Sequence, residues 1–251
     1  MAIKRIELLG VPVDICRPED LEIEIMELLA RPATKQIVFL SVWKLLKARN
    51  RRSDFCECLR SADLVLPVSK SIISAAKFLK LDVPVRHNPF TTTIHILSVL
   101  DQHYKSLYLL GGREKALNHT ERNLHSTFSG LQIVGRFNGY YPKSMENDIV
   151  QAIYKSAPSL VLVSDGIAEK DRWSYRRRNS FASTTFLYYN DAFGIFSKRI
   201  SRVSEAAFEK GLEIWYEVVR HPLKVFLVFP FIKYILILLW YKIFRKRKPS
   251  T

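Results

Sequence analysis

The sequence has little cysteine. Cys16, Cys56 and Cys58 are the only three among 251 residues, an odd and sparse set that excludes a disulfide-stapled scaffold and fits a reducing compartment. Cys56 and Cys58 stand as C-x-C inside an apolar-periodic stretch, which reads as packing rather than metal ligation. None of the six histidines falls in H-E-x-x-H or another short ligand pair, so neither a metal nor any other cofactor is expected. The chain also lacks a P-loop, a G-x-S-x-G elbow and any longer glycine fingerprint. Helix-turn-helix, zinc-finger, RRM and KH signatures are missing, so nucleic acid is not the expected partner. Met1–Gly10 carries two basic residues and no long apolar run, so no secretory signal is expected there, and the body is expected in the cytosol.

Apolar residues make up 48% of the chain, enough for a real core, which excludes intrinsic disorder and collagen-like repeats. The length suits one large domain or two small ones. Short aliphatic runs alternate with amphipathic, helix-length segments from Ile3 to about Asn190. Ile37–Leu40, Leu64–Leu66, Leu107–Leu110, Leu131–Val134 and Leu160–Val163 read as buried strands. This pattern predicts an α/β fold, a mostly parallel Rossmann-like sheet with helices on both faces. Ligands of such sheets bind at the carboxyl ends of the strands. The residues to search are therefore Ser41-Val42, Val68-Ser69-Lys70, Gly111-Gly112-Arg113, Gly135 to Tyr141, and Ser164-Asp165-Gly166. Gly111-Gly112 offers either backbone N–H groups to a phosphate at a helix N-terminus or a plain tight turn.

Charge is unevenly placed. The chain carries a net +15, and from Lys198 onward twelve Lys and Arg stand against four Glu, so about half of the excess lies in the last fifth. Val225 to Phe244 reads VFLVFPFIKYILILLWYKIF, with Lys233 and Lys242 its only charges, and Arg245, Lys246, Arg247 and Lys248 follow. Basic residues beside an apolar helix fit an anionic lipid surface, at about 1 kcal/mol per Lys or Arg. Lys233, Trp240, Arg245, Lys246, Arg247 and Lys248 are the expected membrane contacts. Spanning would carry the basic cluster across the bilayer, and Pro230 would kink the helix, so an embedded or re-entrant helix is expected over a single span. The predicted organisation is an α/β body over 1–197, a helical appendage over 198–224, and an apolar membrane helix with a polybasic end over 225–251.

The strand-end and turn segments, in order, are Leu8-Leu9-Gly10-Val11-Pro12-Val13-Asp14, Ser61-Ala62-Asp63-Leu64-Val65-Leu66-Pro67, Leu109-Leu110-Gly111-Gly112, Ile133-Val134-Gly135 with Asn138-Gly139-Tyr140-Tyr141, and Gly211-Leu212-Glu213 with Trp215-Tyr216. Together they resemble the WecG/TagA/CpsF glycosyltransferases of bacterial cell-envelope and capsule polysaccharide synthesis, over nearly the whole chain. That resemblance implies metal-independent transfer of an N-acetylhexosamine from a UDP-sugar to a polyprenyl-diphosphate-linked acceptor at the cytoplasmic face of the inner membrane. It also implies a C-terminal segment that helps reach the membrane, where the basic tail would meet anionic lipids.

The sequence departs from that family at strand ends. The family's A-D-x-V-x-P-D-G carries a carboxylate thought to act as general base, and its place is held by Val68, which cannot accept a proton. T-x-N falls on Leu40, Ser41 and Val42. The loop E-R-V-A-G-x-D reads Val85-Arg86-His87-Asn88-Pro89-Phe90-Thr91 and keeps only the arginine. G-x-P-K-Q-E-x-W reads Gly166 to Trp173, with Glu169 in place of the lysine. Of the expected C-terminal cations, Lys224 is left.

Asp165 and Asp171 are the candidate replacement bases. Arg86, Gly111, Gly112, Gly139, Tyr140, Gly166 and Lys224 are the candidate substrate-binding residues, with Tyr140 able to stack a ring. Two outcomes stay open: a divergent transferase, or a pseudoenzyme that holds a sugar nucleotide, a lipid carrier or a protein partner, with an active paralogue beside it.

Overall fold

The computed structural model describes residues 3–211 and 228–244. The predicted Lys224 and Arg245–Lys248 contacts lie outside the described residues. Strands β1 (Lys4–Leu8) and β2 (Val11–Ile15) form an antiparallel hairpin. Six further strands, β3 (Lys35–Leu40), β4 (Leu64–Pro67), β5 (Ser106–Leu110), β6 (Gln132–Phe137), β7 (Leu160–Val163) and β8 (Thr185–Tyr188), form one parallel sheet in the order β4-β3-β8-β7-β5-β6. The helices are α1 (Leu21–Ala30), α2 (Val42–Ala48), α3 (Asp54–Ser61), α4 (Lys70–Phe78), α5 (Pro89–Gln102), α6 (Glu114–Thr127), α7 (Glu146–Ser156), α8 (Asp171–Arg176), α9 (Ala192–Phe196), α10 (Glu205–Lys210) and, at the C-terminal end, α11 (Val228–Phe244).

The period-two alternation of strand side chains builds the layers. Ile37, Phe39, Leu64, Leu66, Leu107, Leu109, Leu160, Leu162 and Leu187 point to one face and pack with α1, α5, α6 and α9. Val38, Leu40 and Val65 point to the other, under the hairpin, α2, α3, α4 and α11, while Tyr108, Leu110, Val161, Val163, Phe186 and Tyr188 meet α7 and α8. Burial on both faces explains why these strands read as continuous aliphatic runs rather than alternating ones.

Three points differ from the sequence expectation. The run Leu131–Val134 is not a buried strand: β6 covers Gln132–Phe137 and is half-exposed along its length, because it is a sheet edge paired only with β5. Strand β8, hidden in the mixed stretch Thr185–Tyr188, lies at the sheet centre between β3 and β7. The motif Gly10–Asp14 belongs to the hairpin, which covers β4: the Asp14 carboxylate accepts the Val65 N–H at 2.6 Å and a two-pronged bond from Arg5 at 2.6 and 2.8 Å.

Helix α11 lies against the body through one stripe. Tyr234 and Leu238 are buried with β4, α2 and α4 residues, Phe231, Ile237 and Tyr241 pack beside them, and the Tyr234 hydroxyl donates to the Ser71 carbonyl at 2.9 Å. Farther along, the Lys242 ammonium sits 3.6 Å from the Phe78 ring centroid. α11 therefore runs alongside α4, from its first turn to its last. The opposite side of α11 exposes Ile232, Ile235, Leu236, Leu239, Trp240, Ile243 and Phe244. No helix of the described residues is long and apolar enough to cross a membrane.

Candidate functional site

A cleft of about 320 Å³ opens at the carboxyl edge of β3, β4 and β8. Ser41, Val42 and Trp43 follow β3, Val68 and Ser69 follow β4, and Tyr189 and Asp191 follow β8. Asn88, Pro89 and Phe90 at the start of α5 and the segment Ile200–Val203 with Phe208 complete the wall. The short turns at the strand ends are fixed by caps. Ser41 Oγ accepts the Lys44 N–H at 3.3 Å, and Ser69 Oγ accepts the Val42 N–H at 3.2 Å. Both serines are thus committed in part to backbone, as helix-capping hydroxyls are. Val68, where a carboxylate was looked for, presents a half-buried isopropyl group to this cleft and packs on the core.

The predicted residues distribute differently. Arg86 reaches the cleft's rim, and its guanidinium donates to the carbonyls of Val68 at 2.8 Å and of Phe208 while lying 3.6 Å from the Phe208 ring centroid. Arg86, a candidate substrate-binding residue, is thus bonded within the chain. Lys70 donates to the Glu209 and Lys210 carbonyls at 3.3 and 3.2 Å, so two cations hold α10 over the cleft.

Gly111, Gly112, Gly139, Tyr140, Asp165 and Gly166 come together as a second group, where the loops after β5, β6 and β7 meet. The loops are stitched by backbone: Gly111 N–H to Phe137 O, Gly112 N–H to Asp165 O, Gly139 N–H to Gly112 O and Tyr140 N–H to Gly166 O, at 2.6 to 2.9 Å. These N–H groups are used within the fold. A Cβ on Gly139 would stand 2.7 Å from the Asp165 carbonyl and 2.9 Å from Gly166 Cα. Gly139→Ala is accordingly expected to cost about 1–3 kcal/mol, read as a lower urea midpoint at unchanged slope.

Tyr140 is exposed, with its hydroxyl donating to Asp165 Oδ2 at 3.0 Å and Arg113 lying 5.9 Å from its ring centroid. The hydrogen bond to Asp165 pushes the Tyr140 phenol up from its usual range.

Asp171 is 2% exposed, paired with Lys44 Nζ at 2.8 Å, and absent from the cleft wall. Its neighbour Trp173 is buried against Phe181 and Phe186, and donates from its indole to Tyr141 and Glu146. Arg176 and Arg177 pair with Asp54, Glu169 and Glu146, and Arg178 stacks on Tyr175, so the Arg176–Arg178 run is tied to the body. Glu169, in place of the lysine looked for, anchors two of these arginines, which hold its carboxyl below its ordinary range despite desolvation.

Asp191 and Arg202 line the cleft and were not singled out from sequence. The strand-end rule that selected Asp165 also selects Asp191 once β8 is seen. No group of three or more acidic, histidine or cysteine side chains able to hold a metal occurs among the described residues.

With this geometry in view, comparison with known proteins is direct. The glycosyl transferase WecG/TagA/CpsF family matches residues 6–248. The chain belongs to that family. Among curated members, an N-acetylglucosaminyldiphosphoundecaprenol N-acetyl-beta-D-mannosaminyltransferase of Bacillus spizizenii is 23% identical over 164 residues, covering 65% of this chain and 63% of the relative. The protein of the same name from Bacillus subtilis (strain 168) is 19% identical over 169 residues, covering 67% of this chain and 65% of the relative. The chain thus spans somewhat less than two thirds of the length of these relatives.

Proposed function

We propose that the protein works at a membrane surface as a glycosyltransferase-family component of bacterial cell-envelope or capsule polysaccharide synthesis. Its ligands on this reading are a UDP-linked N-acetylhexosamine and a polyprenyl-diphosphate-linked acceptor, by analogy with the relatives' named activity. The observation that carries the reading is the carboxyl-edge cleft of a WecG-family sheet, next to a helix whose outward side is apolar. The body over 1–197 supplies most of the cleft wall, Ile200–Val203 and Phe208 of the segment 198–224 close it, and 225–251 makes the membrane contact at the cytoplasmic face. Asp191, in the cleft wall, takes the general-base role that Val68 cannot fill, and Asp165 is the second candidate. Asp171, held by Lys44, has a structural role.

A second reading, a pseudoenzyme that binds without turnover, is favoured by two specific features: the aliphatic Val68 in the cleft and the occupation of Arg86 by the Phe208 carbonyl and ring. One assay separates them. Purified protein with UDP-N-acetylhexosamines and a polyprenyl-diphosphate-sugar acceptor is expected to release UDP and form lipid-linked disaccharide. Asp191→Asn is expected to lower that turnover at least 100-fold, the size of a lost general base. Absence of turnover with retained nucleotide or lipid binding would establish the pseudoenzyme.

A further inference from the structure

On the side of the molecule away from the sheet, an open groove of about 730 Å³ lies between the end of α2 and helix α11. Its walls are built by Leu46, Lys47, Arg49 and Asn50 from the α2 side and by Lys233 and Ile237 from α11, with Pro230 at one end. Three cations and no acid line it. Arg51 and Arg52 follow directly in sequence and are exposed. The nearest acids along the chain are engaged elsewhere, Asp54 with Arg172 and Arg176, and Glu57 with the Tyr175 hydroxyl. The carbonyl end of α2 opposes an anion here, but by less than one nearby cation favours it.

Arg49 is the unusual member. Its Nη1 is buried and has no hydrogen-bond partner, and no carboxylate pairs with its guanidinium among the described residues. A buried, unsatisfied guanidinium nitrogen is costly, and in native proteins such an atom usually marks an absent ligand, ion or water. Arginine in particular offers a planar fork that fits a phosphate. Desolvation lowers the Arg49 pKa from its ordinary value, a direction that a bound anion would oppose.

The groove is continuous with the apolar side of α11: Lys233 sits between the groove and the exposed Ile232 and Leu236. A ligand here would have a phosphate beside Arg49 and Lys233 and an apolar remainder beside Leu236 and Trp240. We propose that this groove is a binding site for the phosphate headgroup of an anionic phospholipid, with Arg49 and Lys233 as its direct contacts and Lys47 at its rim. The proposal rests on the membrane reading above and deepens it from general adsorption to a defined headgroup site.

The test is co-sedimentation of the full chain with vesicles of phosphatidylcholine alone and of phosphatidylcholine doped with phosphatidic acid. Arg49→Gln with Lys233→Gln is expected to weaken binding to the doped vesicles by about 30-fold, about fivefold per cation, and to leave binding to neutral vesicles unchanged. Lys47→Gln with Lys233→Gln alters exposed side chains and covers the case in which Arg49→Gln perturbs folding. Removing two remote exposed lysines, Lys115→Gln with Lys155→Gln, is expected to change little.

Equal losses from the groove and remote pairs would reduce the effect to net charge and overturn the site while leaving the membrane reading intact. Release of the native chain by inorganic phosphate, at concentrations that leave the residual binding of the Arg49→Gln, Lys233→Gln variant unchanged, would assign the groove to a free anion and overturn the lipid assignment. Failure to bind either vesicle would overturn both this site and the membrane reading.

Discussion

Replacing Leu236 and Ile243 by glutamate is expected to release the protein from lipid vesicles while leaving its fold intact. These two side chains are 62% and 73% exposed on the outward side of α11, so neither contributes to the packing beneath. Transferring most of a Leu and an Ile side chain out of a lipid phase loses about 2–4 kcal/mol, which weakens partitioning by roughly 30- to 1,000-fold before the cost of the new charges. Thermal unfolding in the absence of lipid should be unchanged, because Tyr234 and Leu238 keep their buried contacts. Persistent sedimentation of the double variant with vesicles would remove α11 from the membrane interface. The same variant is expected to keep its turnover on a short-chain, water-soluble acceptor, which separates membrane delivery from chemistry.

Lys44→Met should be the most damaging single change in the body. The Asp171 carboxylate is 2% exposed and takes bonds from Lys44 Nζ at 2.8 and 2.9 Å, and Lys44 also lies 5.5 Å from the Tyr188 ring centroid. Removing the cation strands a buried charge, for which about 3–5 kcal/mol of stability is lost. Methionine keeps much of the stem's volume, so the loss reports charge rather than a cavity. The double variant Lys44→Met with Asp171→Asn should be more stable than Lys44→Met alone, since the uncompensated charge is gone. Urea unfolding of the four proteins gives the coupling directly. A loss under about 1 kcal/mol for Lys44→Met would mean that Asp171 is solvated in solution, which would restore it as a candidate base.

The body of the fold was legible because a sheet covered on both faces needs continuous aliphatic strands, and Leu64–Leu66, Leu107–Leu110 and Leu160–Val163 show them plainly. Strand β8 was not, since Thr185-Phe186-Leu187-Tyr188 mixes a polar residue and aromatics and has no such run. Missing β8 also hid Asp191. The glycines were correctly placed at strand ends, but the fate of their N–H groups depends on three loops meeting, which local sequence does not encode. Asp171 is read from sequence only as a candidate base. Its partner Lys44 is 127 positions away, and only the tertiary fold brings the two together. The bond of Arg86 to the Phe208 carbonyl likewise joins residues 122 positions apart, which local sequence does not encode.

The side-by-side run of α11 and α4 has a consequence for reach. Tyr234 bonds at the first turn of α4 and Lys242 sits at its last, so the two helices share a direction over their contact. On a bilayer that receives the outward side of α11, the body would stand off the hydrocarbon by the thickness of a single helix, about 10 Å. Val68 and Ser69 lead into α4, so the mouth of the cleft would stand at the depth of the lipid phosphates rather than out in bulk water. On the proposed function, a lipid-linked acceptor would present its diphosphate at the mouth with its chain still in the bilayer, and no carrier would be needed to extract it.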